Sequence, residues 1–160
     1  MPPLSDLELI QRLLLAAFCG AALGFERELK QKSAGLRTNM LIAMGSALFT
    51  VMSQELADGS SADPTRVAAQ IVTGIGFLGA GAILRTNAGI QGLTTAATIW
   101  VNAAVGVAAG GGEFQLALIA TGVTLGVLLL LNPLERQIER RLGHRLQNDE
   151  DPPRGGGQTP

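Results

Sequence analysis

The chain has 160 residues, of which 47% are apolar and only 16% charged, with a net charge of −1. A soluble domain of this size needs about a quarter of its residues charged to cover its surface, so an ordinary soluble fold is a poor fit. The near-zero net charge gives nucleic acid nothing to bind on bulk charge. One cysteine, Cys19, and one histidine, His144, rule out an intramolecular disulfide, a zinc site built from several thiolates and a metal site built from three histidines.

The charges cluster, and five apolar runs lie between the clusters. The first extends from about Leu7 to Phe25. Asp6 and Glu8 stand where a signal peptide would carry basic residues, and bulky Phe18 spoils a lipoprotein cleavage site before Cys19. The run therefore reads as a membrane helix that stays in the protein. The second run, Asn39 to Ala57, has no charge before Glu55. The third (Val67 to Leu84), fourth (Leu93 to Ala109) and fifth (Phe114 to Leu131) have none. A helix of about 20 apolar residues crosses roughly 30 Å of hydrocarbon. A soluble core helix would keep a polar face at 3.6-residue spacing, which the last three runs lack. The expected fold is an all-α integral membrane bundle of about five transmembrane helices.

Residues 1–131 form the membrane domain on this reading, and 132–160 a tail. Asn132-Pro133 is expected to break the fifth helix. Leu134 to Leu146 reads as a short amphipathic helix at the membrane surface, and the chain from Asp149 on as disordered. With five crossings, ten of the twelve basic residues fall on the side of the tail, and only Arg12 and Arg66 on the other. Basic residues mark the cytoplasmic side, so the tail is expected in the cytoplasm.

Gly20 and Gly24, Gly106 and Gly110, and Gly122 and Gly126 are spaced for close helix approach, which membrane helices use because lipid gives them no hydrophobic reason to associate. The third run carries Gly74, Gly76, Gly79 and Gly81. Its Gly-x-Gly-x-x-Gly spacing imitates a dinucleotide loop, but it sits mid-run and lacks the acidic residue about 20 positions on. A thin helix packed against several neighbours is the expectation there. Asp63-Pro64 is a helix-start signal. Arg66, Gln70 and Thr73 form a polar stripe on the third run. Ser46, Thr50, Ser53 and Gln54 do so on the second, and Thr94, Thr95, Thr98 and Asn102 on the fourth. Such a seam reads first as interhelical hydrogen bonding, and second as a binding site or narrow path. At the cytoplasmic edge, Glu26 is expected to pair with Arg37 or Arg85. No carboxylate lies mid-run, so neither a dedicated divalent-cation site nor a proton relay is indicated. No phosphate loop and no Ser/His/Asp set occurs. The expectation is therefore no catalytic residue, no metal and no cofactor.

Four stretches, Gly20 to Glu28, Ala34 to Asn39, Asp63 to Gly81 and Gly92 to Trp100, closely resemble the MgtC/SapB family, in order and with its spacing, over about residues 7 to 131. The resemblance implies a bacterial inner-membrane protein. It also implies a genetic link to magnesium supply, adaptation to low magnesium and virulence, and in the best-known members restraint of the F-type ATP synthase. Two departures separate this chain from the virulence-associated members. These carry a soluble C-terminal domain where this chain has a short tail, and they tend to read Arg-Gly-Leu-Asn-Thr where it has Gln91-Gly92-Leu93-Thr94-Thr95. The shorter branch of the family is the nearer match.

The resulting expectation is a protein that regulates another membrane system in magnesium, ion or envelope homeostasis. The alternative is a small ion or solute transporter that uses the polar stripes. The expected partners are the bilayer, another membrane complex and further copies of the chain. The candidate functional residues are Glu26, Arg37, Asp63, Arg66, Gln70, Thr94, Thr95 and Asn102.

Overall fold

A computed structural model describes residues 4–57, 63, 65–87 and 89–149, with side chains described as far as 131. The helices are α1 (Asp6–Leu29), α2 (Leu36–Ala57), α3 (Thr65–Gly81), α4 (Leu93–Gly110) and α5 (Phe114–Asp149). Two three-residue strands, β1 (Leu84–Thr86) and β2 (Gly89–Gln91), separate α3 from α4. Four helical segments, α1, α2, α4 and Phe114–Leu131 of α5, are long and apolar enough to cross a membrane. At 17 residues, α3 spans only about 25 Å, at the short limit for a crossing. The chain is an all-α membrane bundle.

Local chemistry sets the helix boundaries. Ser5 and Glu8 form a reciprocal capping box at the start of α1, satisfying two N–H groups that the first turn leaves unpaired. Between α1 and α2, Gln31 and Ala34 adopt left-handed backbone conformations (φ 50° and 59°), which cost a residue bearing a Cβ. At the start of α4, Gly92 has φ 89°, and a Cβ there would collide with the Ala82 carbonyl. Only glycine fits this corner.

Packing is inverted relative to a soluble protein. The innermost residues are small: Ala16, Cys19, Ala43, Ala47, Ala109 and Ala117 are fully buried. Large apolar side chains point outward, with Phe77 82%, Leu130 73% and Phe18 65% exposed. Small residues inside bring backbones together, and large ones outside meet lipid. α2 packs on α1 and α4, α1 also touches α4, and α3 leans on α4 and α2. The chain divides into two units, Met1–Leu125 and Gly126–Pro160.

Three expectations need correction. The third run does not continue as helix to Leu84. α3 ends at Gly81, and Leu84 opens an exposed antiparallel hairpin in which Leu84 pairs with Gln91 and Thr86 with Gly89. A strand pair this short leaves no periodicity in the sequence. Next, Asn132-Pro133 does not end the fifth helix, and α5 runs through it to Asp149. Proline removes one N–H and crowds one carbonyl, and long helices absorb this as a local distortion. The amphipathic side chains expected at 134–146 and the disorder expected beyond Asp149 lie outside the described side chains and residues.

Finally, the close packing expected of α3's glycines is absent among the described residues. A Cβ at Gly74, Gly76 or Gly81 would meet nothing within 4 Å, and one at Gly79 would touch only Ala96 at 3.8 Å. Gly122 and Gly126 likewise face open space. α3 buries only Ile75 and Gly79, so one narrow strip of it contacts the bundle and the remaining glycines face away.

Candidate functional site

Polar side chains converge where α1 ends and α2 and α4 begin. Glu26 and Arg27 are 5% and 2% exposed, and Asn39 and Asn102 are fully buried. Such groups are costly inside a membrane protein and persist only with partners. Glu26 is held by charge: its Oε1 lies 2.6 Å from Lys30 Nζ one turn on, and its Oε2 lies 3.7 Å from Arg27 Nη1. Arg27 Nη2 donates to Thr95 Oγ1 on α4 at 3.2 Å, and Ser33 Oγ donates to the same oxygen at 3.4 Å. Arg27 therefore ties the end of α1 to the first turn of α4.

A second tie runs through two amides. Asn39 Nδ2 donates to the Gly35 carbonyl at 3.1 Å and to the Ala34 carbonyl, fixing the left-handed turn at Ala34. Asn102 Nδ2 donates to the Asn39 backbone carbonyl at 2.6 Å and to Asn39 Oδ1 at 3.1 Å. Glu28 Oε2 accepts from the Leu36 N–H at 3.1 Å and so caps α2 across the turn. Glycines let the backbones meet here. A Cβ at Gly20 would lie 2.6 Å from the Asn39 carbonyl oxygen, and one at Gly24 would lie 2.7 Å from Leu36 Cα. A Cβ at Gly106 would lie 2.8 Å from Ser46 Cβ, and one at Gly110 would lie 2.5 Å from the Ala47 carbonyl oxygen.

The cluster contains Glu26, Thr95 and Asn102 but not Arg37. Arg37 is exposed, as is Arg85, and Glu26 pairs instead with Lys30 and Arg27. The local pair wins because residues four apart share a helix face. Thr94 is exposed, and its carbonyl accepts from Thr98 Oγ1 at 2.8 Å. Arg27, Lys30, Glu28 and Asn39 were not among the candidate residues. The four-residue spacing of Glu26 and Lys30 was the available signal.

The other stripes behave differently. Thr50 Oγ1 donates to the Ser46 carbonyl, Thr73 to Ala69 and Thr121 to Ala117, each one turn back on its own helix. Their polarity is largely spent on the backbone. At the opposite end of the bundle, Arg12 Nη1 donates to Gln54 Oε1 at 2.9 Å and to the Gly110 carbonyl at 2.7 Å, joining α1, α2 and the end of α4. Asp63 Oδ1 accepts from the Thr65 N–H at 2.8 Å and from the Thr65 hydroxyl at 2.7 Å. Those two bonds, and to a lesser degree the Arg66 charge, hold the Asp63 carboxyl below the usual aspartate range. Arg66 and Gln70 are exposed on α3. They line a shallow polar cleft of about 470 Å³ with Ser53 and Asp63. This cleft opens into an apolar groove of about 580 Å³ between α2 and α3. Among the described residues no group of three or more His, Cys, Asp or Glu side chains could hold a metal ion.

Comparison with known proteins adds a lineage. The profile of the MgtC family matches residues 13–137. The chain is 46% identical over 143 residues to Escherichia coli (strain K12) "Putative magnesium transporter YhiD", covering 86% of this chain and 66% of that protein. It is 50% identical over 124 residues to protein MgtC of Brucella abortus (strain 2308), covering 78% and 51%. It is 47% identical over 131 residues to protein MgtC of Salmonella typhimurium (strain 14028s / SGSC 2262), covering 82% and 55%. The chain thus spans from about half to two-thirds of the length of these relatives. No solved structure matches it.

Proposed function

Since the chain belongs to the MgtC family of membrane proteins, we propose that it serves magnesium, ion or envelope homeostasis in a bacterial inner membrane by regulating another membrane system. One observation carries this reading. Three polar side chains join the helices, Arg27 to Thr95, Asn102 to Asn39 and Arg12 to Gly110. Around them, Gly20, Gly24, Gly106 and Gly110 bring the backbones of α1, α2 and α4 into close contact. A bundle locked in this way acts through its surface. Arg37 and Arg85, exposed near the end of the bundle that carries the polar cluster, are where a partner would dock. The basic-residue asymmetry supports a cytoplasmic tail with α3 as the fifth crossing, and a reporter fused after Gln147 should read cytoplasmic.

The test is photo-crosslinking from positions 37 and 85 in intact membranes, followed by identification of the captured protein. A defined membrane complex is expected. Capture of nothing beyond the bilayer, together with magnesium flux through the purified chain, would overturn the regulator reading. The name of the YhiD relative favours the second reading, a magnesium carrier, whose path would follow the α2–α3 groove past Thr38, Ser46 and Gln70.

A further inference from the structure

The α2–α3 groove and the cleft at its end are one continuous surface, since Val67 and Gln70 line both. Its two parts differ in chemistry. The groove is walled by Leu41, Ile42, Phe49, Ile71 and Ile75, and two glycines, Gly45 and Gly74, have open space where a side chain would stand. From Val67, beside the cleft, to Leu78 it follows twelve residues of α3, about 16 Å at a rise of roughly 1.5 Å per residue. That matches one leaflet, half of a hydrocarbon core roughly 30 Å thick. The cleft lies at the helix ends, at headgroup level, and carries one cation, Arg66, and one carboxylate, Asp63. Asp63 commits Oδ1 to Thr65, and among the described residues nothing donates to its second oxygen.

We propose that this surface binds one zwitterionic aminophospholipid, with an acyl chain in the groove, its phosphate at Arg66 and Gln70, and its ammonium group at Asp63. Charge complementarity selects this occupant. A lipid headgroup with only a negative charge satisfies Arg66 but faces the Asp63 carboxylate. An apolar helix from a second copy would offer Arg66 and Asp63 no group beyond each other and Thr65. The site depends only on the chain lying in a bilayer; it suits the regulator reading, because a carrier path through the α2–α3 groove would compete with the acyl chain.

The experiment is native mass spectrometry of the detergent-purified chain supplied with an equimolar mixture of phosphatidylethanolamine and phosphatidylglycerol of matched acyl chains. The wild-type chain should retain one phosphatidylethanolamine, favoured by about fivefold, as an exposed charge contact allows. Arg66→Gln should reduce retention of both lipids, and Asp63→Ala should erase the preference. Gly74→Leu puts a side chain into the groove at a position where a Cβ meets nothing within 4 Å, and it should abolish retention while helicity by circular dichroism is unchanged. Gly45→Leu repeats the test from the opposite wall should the first variant misfold. Undiminished retention in both groove-filling variants would overturn the proposal. Equal retention of the two lipids by the wild type would do so too. So would loss of a dimer, rather than of a lipid, when the groove is filled.

Discussion

The α1–α2–α4 layer and α3 carry the same residue type to opposite ends. In the layer, a Cβ added at Gly20, Gly24, Gly106 or Gly110 falls within 3.0 Å of a neighbour, while on α3 Gly74, Gly76 and Gly81 face open space. The layer also holds the buried charges and amides, and α3 exposes Arg66 and Gln70 along the polar cleft. Glycine in a membrane helix therefore has two uses: it joins backbones where a partner helix is present, and it leaves a thin face where none is. One region is a locked frame, and the other is a face offered to lipid or protein.

The largest test of this contrast is a pair of glycine substitutions. Gly20→Val drives a side chain into the Asn39 carbonyl and should cost about 3 kcal/mol or more. Gly74→Val should stay within about 0.5 kcal/mol, as surface substitutions do. Thermal unfolding in detergent reads both, and equal losses would erase the distinction between the two regions. Arg27→Met comes next. It removes the bond to Thr95 and one of the two cations beside buried Glu26, at a cost of about 2 kcal/mol, less than for a charge left wholly unpaired because Lys30 remains. Restoring neutrality with Glu26→Gln in the same chain should recover part of that loss.

Asn102→Leu is smaller, about 1 kcal/mol, in keeping with interhelical hydrogen bonds in membranes, and it should be non-additive with Asn39→Leu because the two amides share their bonds. The smallest effect is at Asp63. Its folded carboxyl titrates below the ordinary aspartate value, so its contribution is complete above that value and is lost as pH falls through the folded one. Amide exchange at Thr65 and Arg66 should accelerate below about pH 4, beyond its intrinsic pH dependence, while exchange in α1 stays flat. Asp63→Ala should remove that acceleration.

Much of the frame was legible because lipid demands segregation. Charge-free runs gave the helices, and Gly20/Gly24 and Gly106/Gly110 stood at the spacing close contacts require. The hairpin at Leu84–Gln91 left no trace, since three-residue strands are shorter than any periodicity. Pro133 misled because one missing N–H looks decisive in sequence, yet the 36-residue α5 continues through it. In the candidate site, Glu26, Thr95 and Asn102 stood out as polar residues in apolar surroundings. Their partners did not. Arg27 reads as an ordinary basic anchor at a helix end, and nothing in the sequence says that it turns inward to α4. Arg12 was invisible for a similar reason, because its acceptor is a backbone carbonyl 98 positions away.

The most direct measurement of the central claim is magnesium entry into liposomes that contain only the purified chain and a trapped magnesium-sensitive dye. If the polar interior is a lock, entry should equal that of liposomes carrying an unrelated membrane protein, and Asn102→Leu should not change it. Saturable entry that Asn102→Leu abolishes, in a variant that still unfolds cooperatively, would contradict the lock and establish a conduit.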